Sequence, residues 1–287
     1  MIQLPNLKIY VFLVCALISI NIFSQEEEDD SGKLPVRSPF EAGSLIDNPT
    51  IVSPYKGGIE LNILHRFGLI DANGISDVFG IYASSNIKLG INYGITDKIM
   101  AGLGYTKDFK QLDLNWKVAL LQQSRNGKVP VSISYYGNFV TNLQEKDAFG
   151  PTDRYKDIHR FSYFTEIMVA RKMSEAISLQ IAPNLSYFNA LERGRNNVNL
   201  GISVGGRAKI FSSSSILIEY DQKITKADSL ESKPNLALGY EIGTATHAFQ
   251  IFIANYSQII PQRNYVFNEN DFTKGKYLFG FNITVRL

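Results

Sequence analysis

Cysteine is almost missing from this chain, since Cys15 is the only one among 287 residues. It lies in an apolar run, broken by a single serine, that extends from Ile9 to Ile20 after the cation Lys8. The run is about a dozen residues long, whereas a spanning helix needs roughly 20, so a permanent N-terminal anchor is the weaker alternative. We predict a signal peptide over residues 1–24, cleaved at the Ser24–Gln25 bond. The mature chain then has no disulfide, thiolate metal site or cysteine nucleophile.

Long hydrophobic runs and clusters of one charge sign are also scarce. After the leader, no stretch approaches 18 consecutive apolar residues, and helical periodicity is hard to find. The formal net charge is +2 and no basic stretch occurs, which argues against a nucleic-acid partner. The only histidines are His65, His159 and His247, and they lack metal-ligand spacing. We therefore predict no metal, no cofactor and no catalytic residue.

What the sequence does contain is a regular alternation of apolar and polar residues with a period of two. From Asn86 to Thr96, every second residue is apolar and the residues between are polar or small. Asp97 and Lys98 form a turn, and the next run, from Ile99 to Thr106, alternates in the same way, which predicts a hairpin. Similar runs of roughly nine to eleven residues, the length of a tilted membrane strand, follow along the chain.

Together these runs predict an all-β fold, a transmembrane antiparallel up-and-down β-barrel over residues 57–287. The expected strand number is about 12, with 10 or 14 as alternatives, because single-sequence strand boundaries are soft. Residues 25–56 begin with the acidic run Glu26–Asp30 and are predicted to form a periplasmic tail or a small plug.

Two further regularities favour a membrane barrel. Connections alternate between short and long, as periplasmic turns and extracellular loops do. The last strand runs from Tyr277 to the terminal Leu287 with apolar residues at every second position. We expect the outer-membrane assembly machinery to recognise this strand, and outer-membrane lipid to surround the barrel.

The strand charges fall almost entirely in the polar phase, as lipid on the other face requires, since Lys or Arg near mid-bilayer costs about 2–4 kcal/mol. Both signs are nearly balanced, so we expect these side chains to pair with one another inside a narrow, largely self-filled or weakly selective barrel. The lumen-facing candidates are Glu60, Arg66, Lys88, Asp113, Lys117, Glu166, Arg207, Glu219, Asp221, Glu241 and Arg286. Aromatic residues on the other face are interpreted as interface girdles: Tyr93, Tyr105, Trp116, Tyr135 and Tyr163.

The chain also resembles a family of β-barrel proteins from the Bacteroidetes, known as domain of unknown function 5777. The resemblance lies in short motifs in a common order: His65-Arg66-Phe67-Gly68, Val78-Phe79-Gly80, Ser85 to Ile91, Tyr93-Gly94, Lys117 to Gln122, Ser178-Leu179-Gln180, Glu219-Tyr220, Thr246 to Gln250 and Phe279 to Ile283. It implies a barrel fold and an outer-membrane location. It implies no activity, so no catalytic or binding residue follows from it.

The sequence leaves three functions open. The first is a non-enzymatic outer-membrane barrel, either a small-solute channel or a scaffold for a periplasmic or surface protein. The second is a lipid-modifying enzyme on the barrel rim, for which His65 is in the right phase but lacks an obvious serine neighbour. The third is a soluble periplasmic ligand-binding barrel, disfavoured because so many large apolar side chains are hard to pack inside it.

Overall fold

A computed structural model describes residues 34–70, 78–226 and 229–287. The predicted signal peptide, its cleavage site and the acidic run lie outside the described residues. Twelve strands form one closed barrel in which each strand pairs with its neighbours in sequence and β12 pairs with β1. The strands are β1 (Ile59–Ile70), β2 (Asn86–Gly94), β3 (Ile99–Thr106), β4 (Gln111–Leu121), β5 (Ser132–Asn142), β6 (Phe161–Lys172), β7 (Ile177–Phe188), β8 (Val198–Lys209), β9 (Ser214–Lys223), β10 (Asn235–Gly243), β11 (His247–Ala254) and β12 (Tyr277–Arg286).

The predicted alternation of apolar and polar residues corresponds to the two faces of the barrel wall. In β4, Leu112, Leu114 and Trp116 are exposed on the outside, whereas the alternating residues Asp113, Asn115 and Lys117 are buried. This arrangement is the reverse of a soluble barrel, in which the apolar residues would fill the interior. The expected membrane barrel of about 12 strands is confirmed.

The two ends of the barrel differ in their connections. At the short-turn end lie the chain's entry into β1, the end of β12 and compact turns such as residues 95–98 and 244–246. The long-loop end carries the connections 143–160, 189–197 and 255–276. The connection before β5 (residues 122–131) is longer than the other turns at the short-turn end, and it holds the segment that precedes β1 through a bridge between Ser124 and Pro35.

Barrel closure uses the last residue of the chain. β12 pairs with β1 in antiparallel register, with Leu61 opposite Val285 and His65 opposite Phe281. Beyond the strand, the Leu287 amide donates to the Ile59 carbonyl at 2.8 Å, and the Ile59 amide donates back at 3.0 Å. Because these bonds tie both chain termini of the barrel together, no strand edge is left unpaired there.

The lumen is filled from the short-turn end by residues 34–58, which we call the plug segment. It enters beside the β4–β5 turn, where the Val36 amide donates to Gln123, and it doubles back through a bridge between Ser44 and Pro49. Its tip, Leu45–Asn48, is buried. The segment then returns to the same end, where the Gly57 amide donates to Gly94.

From the opposite end, the β11–β12 connection (residues 255–276) folds inward. It contains a short α-helix, α1 (Pro261–Phe267), of which Pro261 through Val266 are buried. Tyr265 and Val266 pack with Phe164, Met168 and Phe188 of the wall in one apolar cluster. A second cluster joins Phe40, Leu45 and Ile46 of the plug segment to wall residues such as Leu217 and Phe252. Within the described ranges, no helix is long and apolar enough to cross a membrane.

Candidate functional site

One carboxylate of the wall, that of Glu219, binds the backbone of the plug tip. Glu219 Oε2 accepts hydrogen bonds from three consecutive backbone amides, of Ile46 at 3.2 Å, Asp47 at 3.1 Å and Asn48 at 3.0 Å. Its other oxygen accepts the Tyr256 hydroxyl at 2.7 Å. Glu219 therefore joins the plug segment to the inward-folded β11–β12 connection. Hydrogen bonds to a charged acceptor are worth about 1.5–3 kcal/mol each, roughly twice the neutral value.

Asp47 of the tip forms a buried ion pair with the wall. Its Oδ1 lies 2.7 Å from the Arg66 guanidinium, and its Oδ2 accepts from Asn264 Nδ2 of α1 at 2.5 Å. Arg66 also donates to Asn282 at 2.9 Å and stacks on Phe252. Burial raises the pKa of the Asp47 carboxyl to about 6, although the Arg66 charge acts in the opposite direction.

The arms of the plug segment contact further predicted residues. Lys117 Nζ donates to the carbonyls of Gly43 and Val52, which belong to the inward and outward arms. Glu60 accepts the Gly43 amide at 3.3 Å. At the short-turn end, Arg207 forms an ion pair with Glu41 at 2.7 Å. Arg286, which is only partly buried, donates to the Glu41 carbonyl at 2.6 Å. Asp221 completes the set by accepting from Asn48 at 2.5 Å.

The expectation that the wall charges mainly pair with one another is wrong. Nine of the eleven candidates are buried, and Lys88 and Arg286 are partly exposed. Within the described residues, only two ion pairs join wall to wall, Lys88 with Asp113 at 2.9 Å and Arg207 with Glu241 at 3.1 Å. The physical reason is that the plug segment brings its own amides, carbonyls and carboxylates into the lumen, and these satisfy the wall charges instead.

Glu166 differs from the other candidates. Both of its carboxylate oxygens are buried, and neither has a hydrogen-bond partner among the described residues. The positive charge of Lys117 acts on Glu166, but the hydrogen bonds of Lys117 go to the plug carbonyls. A buried carboxyl group without hydrogen bonds is costly, so we expect Glu166 to lower the stability of the folded barrel with its plug in place.

Glycines in the strands make room for these contacts. A Cβ atom at Gly205 would lie 2.4 Å from the Leu45 side chain of the plug tip. One at Gly201 would lie 2.6 Å from the Tyr265 ring of α1. Small residues at these two positions therefore let the two inserted segments approach the wall.

For the rim-enzyme alternative, His65 Nδ1 has no hydrogen-bond partner among the described residues. His65 stacks on Phe281 with ring centroids 4.9 Å apart, on the outer face near the long-loop end. The five residues from Gly201 to Gly205 match the letters of a Gly-x-Ser-x-Gly elbow, but they lie inside β8, and Ser203 is buried toward the lumen. The elbow requires a sharp strand-to-helix turn, which a mid-strand position does not provide.

The five aromatic residues of the interpreted girdles differ in their position along the strands. Tyr93, Tyr105, Tyr135 and Tyr163 lie near strand ends, where interface girdles occur. Trp116 lies in the middle of β4, and its ring covers the backbone of Gly137 on β5, 2.5 Å from where a Cβ would be. Its role is to fill the space beside a glycine in the middle of the outer face.

The plug residues themselves were not predicted individually. Asn48-Pro49 is a turn signal, but no local pattern indicates that the preceding amides bind a carboxylate more than 170 residues away.

Comparison with known protein families gives a match over most of the chain. A family model described as a membrane bound beta barrel domain (DUF5777) matches residues 40–287. The chain belongs to this family. It is a membrane-bound β-barrel protein, and the matched range includes most of the plug segment as well as all 12 strands.

Solved structures with a similar fold include a KdgM porin, with 6% identity, a TM-score of 0.48 and coverage of 78% of this chain and 98% of the porin. An outer membrane channel from Pseudomonas putida F1 has 10% identity and a TM-score of 0.49, covering 82% of this chain and 97% of the channel. At these identities the likeness concerns the fold alone. No curated protein matches the chain.

Proposed function

We propose that this protein is a small-solute channel of the bacterial outer membrane, closed at rest by its own plug segment. The observation that carries the proposal is the chemistry of the seal. Besides its apolar contacts with the wall, the tip is held by hydrogen bonds to Glu219 and Asp221 and by an ion pair with Arg66.

A polar seal is reversible in a way that an apolar core is not. When the plug segment leaves, water hydrates the wall charges that it bonded, so each charge-assisted hydrogen bond lost costs only about 1.5–3 kcal/mol net. The wall that remains carries charges of both signs, with six carboxylates and five basic groups among the candidates. Such a wall is stable in contact with water and passes small solutes with little charge preference.

The test is to lock the tip in place. Gly205 of β8 faces Leu45 closely enough that a cysteine pair, Leu45→Cys with Gly205→Cys, is expected to form a disulfide across the lumen. The mature chain as predicted contains no other cysteine. In planar bilayers, we expect the oxidised double variant to stay closed and the same preparation to show discrete conductance steps after reduction.

Each single-cysteine variant serves as a control and is expected to conduct equally in oxidising and reducing buffer. Equal conductance of the locked and reduced double variant would exclude the plug as the gate. A folded barrel that never conducts, with or without reductant, would instead favour a scaffold.

A further inference from the structure

A second feature lies at the long-loop end, outside the plug contacts. There the loop between β5 and β6, the β7–β8 connection and α1 enclose a cavity of about 440 Å³. Its rim includes the exposed residues Ala148, Gly150 and Glu192, so the cavity opens to solvent. Its volume falls within the range of roughly 300–1,000 Å³ that small-molecule sites occupy.

Arg263 of α1 lies at the floor of this cavity. Its guanidinium is sandwiched between the rings of Phe109, 3.6 Å away, and Phe267, 4.3 Å away. Burial lowers the pKa of Arg263 to about 9, so the group stays positively charged at neutral pH. Its Nε donates to Gln258 at 3.0 Å. Among the described residues, no carboxylate lies within ion-pair distance of it, although the charge of the nearby Asp108 acts against the lowering of its pKa.

This position is built at a local cost. Arg263 is 93% buried, since 7% of its surface is exposed. Phe109 has the left-handed backbone angle φ of 60°, and Lys110 after it has 45°. Such conformations cost of order 1–3 kcal/mol in residues other than glycine and cluster at functional sites. Here they place the Phe109 ring against the guanidinium.

A hydrogen-bond acceptor without a partner lines the same cavity. Gln111 at the start of β4 is 2% exposed, and its Oε1 has no donor among the described residues. A buried amide oxygen of this kind normally has a donor, so the site calls for a ligand hydroxyl or amine. Arg160, held by the carbonyls of Asn142 and Gln144, adds a second positive charge at the edge.

We propose that this cavity binds a small hydroxylated organic acid. The carboxylate pairs with the buried Arg263, a hydroxyl donates to Gln111 Oε1, and the aromatic rings cover the carbon chain. The acidic side chain at the rim does not oppose this, because Glu192 is paired with Arg195 at 2.7 Å. The next residue in α1, Asn264, bonds the plug tip through Asp47. The site therefore lies one residue from the seal, on the side from which solutes arrive.

The test is calorimetric titration of the purified full-length mature protein in detergent, with three probes of similar size. Gluconate has the carboxylate and the hydroxyls, hexanoate has only the carboxylate, and sorbitol has only the hydroxyls. We expect gluconate to bind most tightly, hexanoate at least about fivefold more weakly, and sorbitol not measurably. Titration of empty micelles corrects for partitioning.

Two variants separate the contacts. Arg263→Gln should weaken gluconate binding at least tenfold, whereas Arg154→Gln, on an exposed loop outside the cavity, should leave it unchanged. Gln111→Leu should erase the preference for gluconate over hexanoate while keeping hexanoate affinity. If Arg263→Gln fails to give the compact, heat-modifiable barrel, two other single variants, Arg263→Lys and Gln111→Leu, are used for the test instead.

Unchanged gluconate affinity in Arg263→Gln, or sorbitol binding as tight as gluconate, would overturn the proposal. This result is separable from the channel proposal, since a barrel that never conducts can still bind gluconate and a conducting barrel can fail to.

Discussion

Glu219 and Glu166 are both buried lumen carboxylates, but their surroundings give them opposite effects. Glu219 accepts three tip amides and a tyrosine hydroxyl. Glu166 accepts no hydrogen bond from any described residue. Burial alone therefore does not decide what a charge contributes, because an unpaired carboxylate pays the desolvation cost without the compensating bonds.

Glu219→Gln tests this contrast. An amide in its place is neutral and presents an N–H group where acceptors are needed, so we expect docking of the tip to weaken by about 2 kcal/mol. Hydrogen exchange of the peptide containing Ile46, Asp47 and Asn48, followed by mass spectrometry, should accelerate by roughly 30-fold. Glu166→Gln is the matched control, with unchanged tip exchange and an equal or higher thermal midpoint. Similar behaviour of both variants would refute the assignment.

Asp47 links plug docking to pH. Its pKa is about 6 in the buried tip, against 3.8 as the ordinary value. The docked state therefore takes up a proton between these values, so this residue favours docking most below about pH 3.8, and that contribution is lost as pH rises through about 6.

We accordingly expect the open fraction in planar bilayers to fall when pH is lowered from about 7 to about 4.5, with a smaller pH effect in Asp47→Asn. The neighbouring carboxylates are the same in both proteins, so the difference isolates this residue. Asp97→Asn, at an exposed turn, should keep the wild-type pH profile. A full pH effect in Asp47→Asn would assign it to other groups.

Among the elements, the strands were predictable and the inserted segments were not. In each strand, the sequence alone indicates which side chains face the lumen and which face outward. In β4, the alternation from Gln111 to Lys117 matches the observed burial residue by residue. The lipid outside and the polar lumen inside impose this pattern locally. The even strand number follows from the alternation of short and long connections.

The short helix α1 shows why the inserted segments could not be predicted from the sequence. Its sequence begins with proline and has no apolar stripe, and the stretch from Ser257 to Gly275 reads as an extracellular loop. The segment is nevertheless buried because Tyr265 and Val266 find Phe164 and Phe188 across the lumen. Likewise, the plug segment was expected only as a tail or a small plug. These contacts join residues that are distant in sequence, so no local periodicity of the sequence can predict them.

The whole molecule is organised around a separation of chemistry, with an apolar belt outside and a polar, filled interior. The exposed outer residues include Leu89, Ile91, Leu114, Leu238 and Ile251, spread around the barrel. In water, such a continuous apolar surface would drive aggregation. In a bilayer it is the surface that the lipid requires, and the same belt leaves the lumen as the place where solute chemistry can occur.

Ile251→Lys tests whether this belt faces lipid. Ile251 is 64% exposed in the middle of β11, so in a bilayer the lysine should cost about 2–4 kcal/mol of unfolding free energy, measured by urea unfolding in lipid vesicles. Ile177→Lys is the matched control, because this exposed isoleucine begins β7 at the short-turn end, where the cost falls to about 0–1 kcal/mol. If a soluble environment surrounded the barrel, both lysines would be tolerated equally, since neither isoleucine is buried by protein. Equal stabilities would therefore reject the membrane-facing belt, whereas a deficit confined to Ile251→Lys would place the bilayer midplane at the middle of β11.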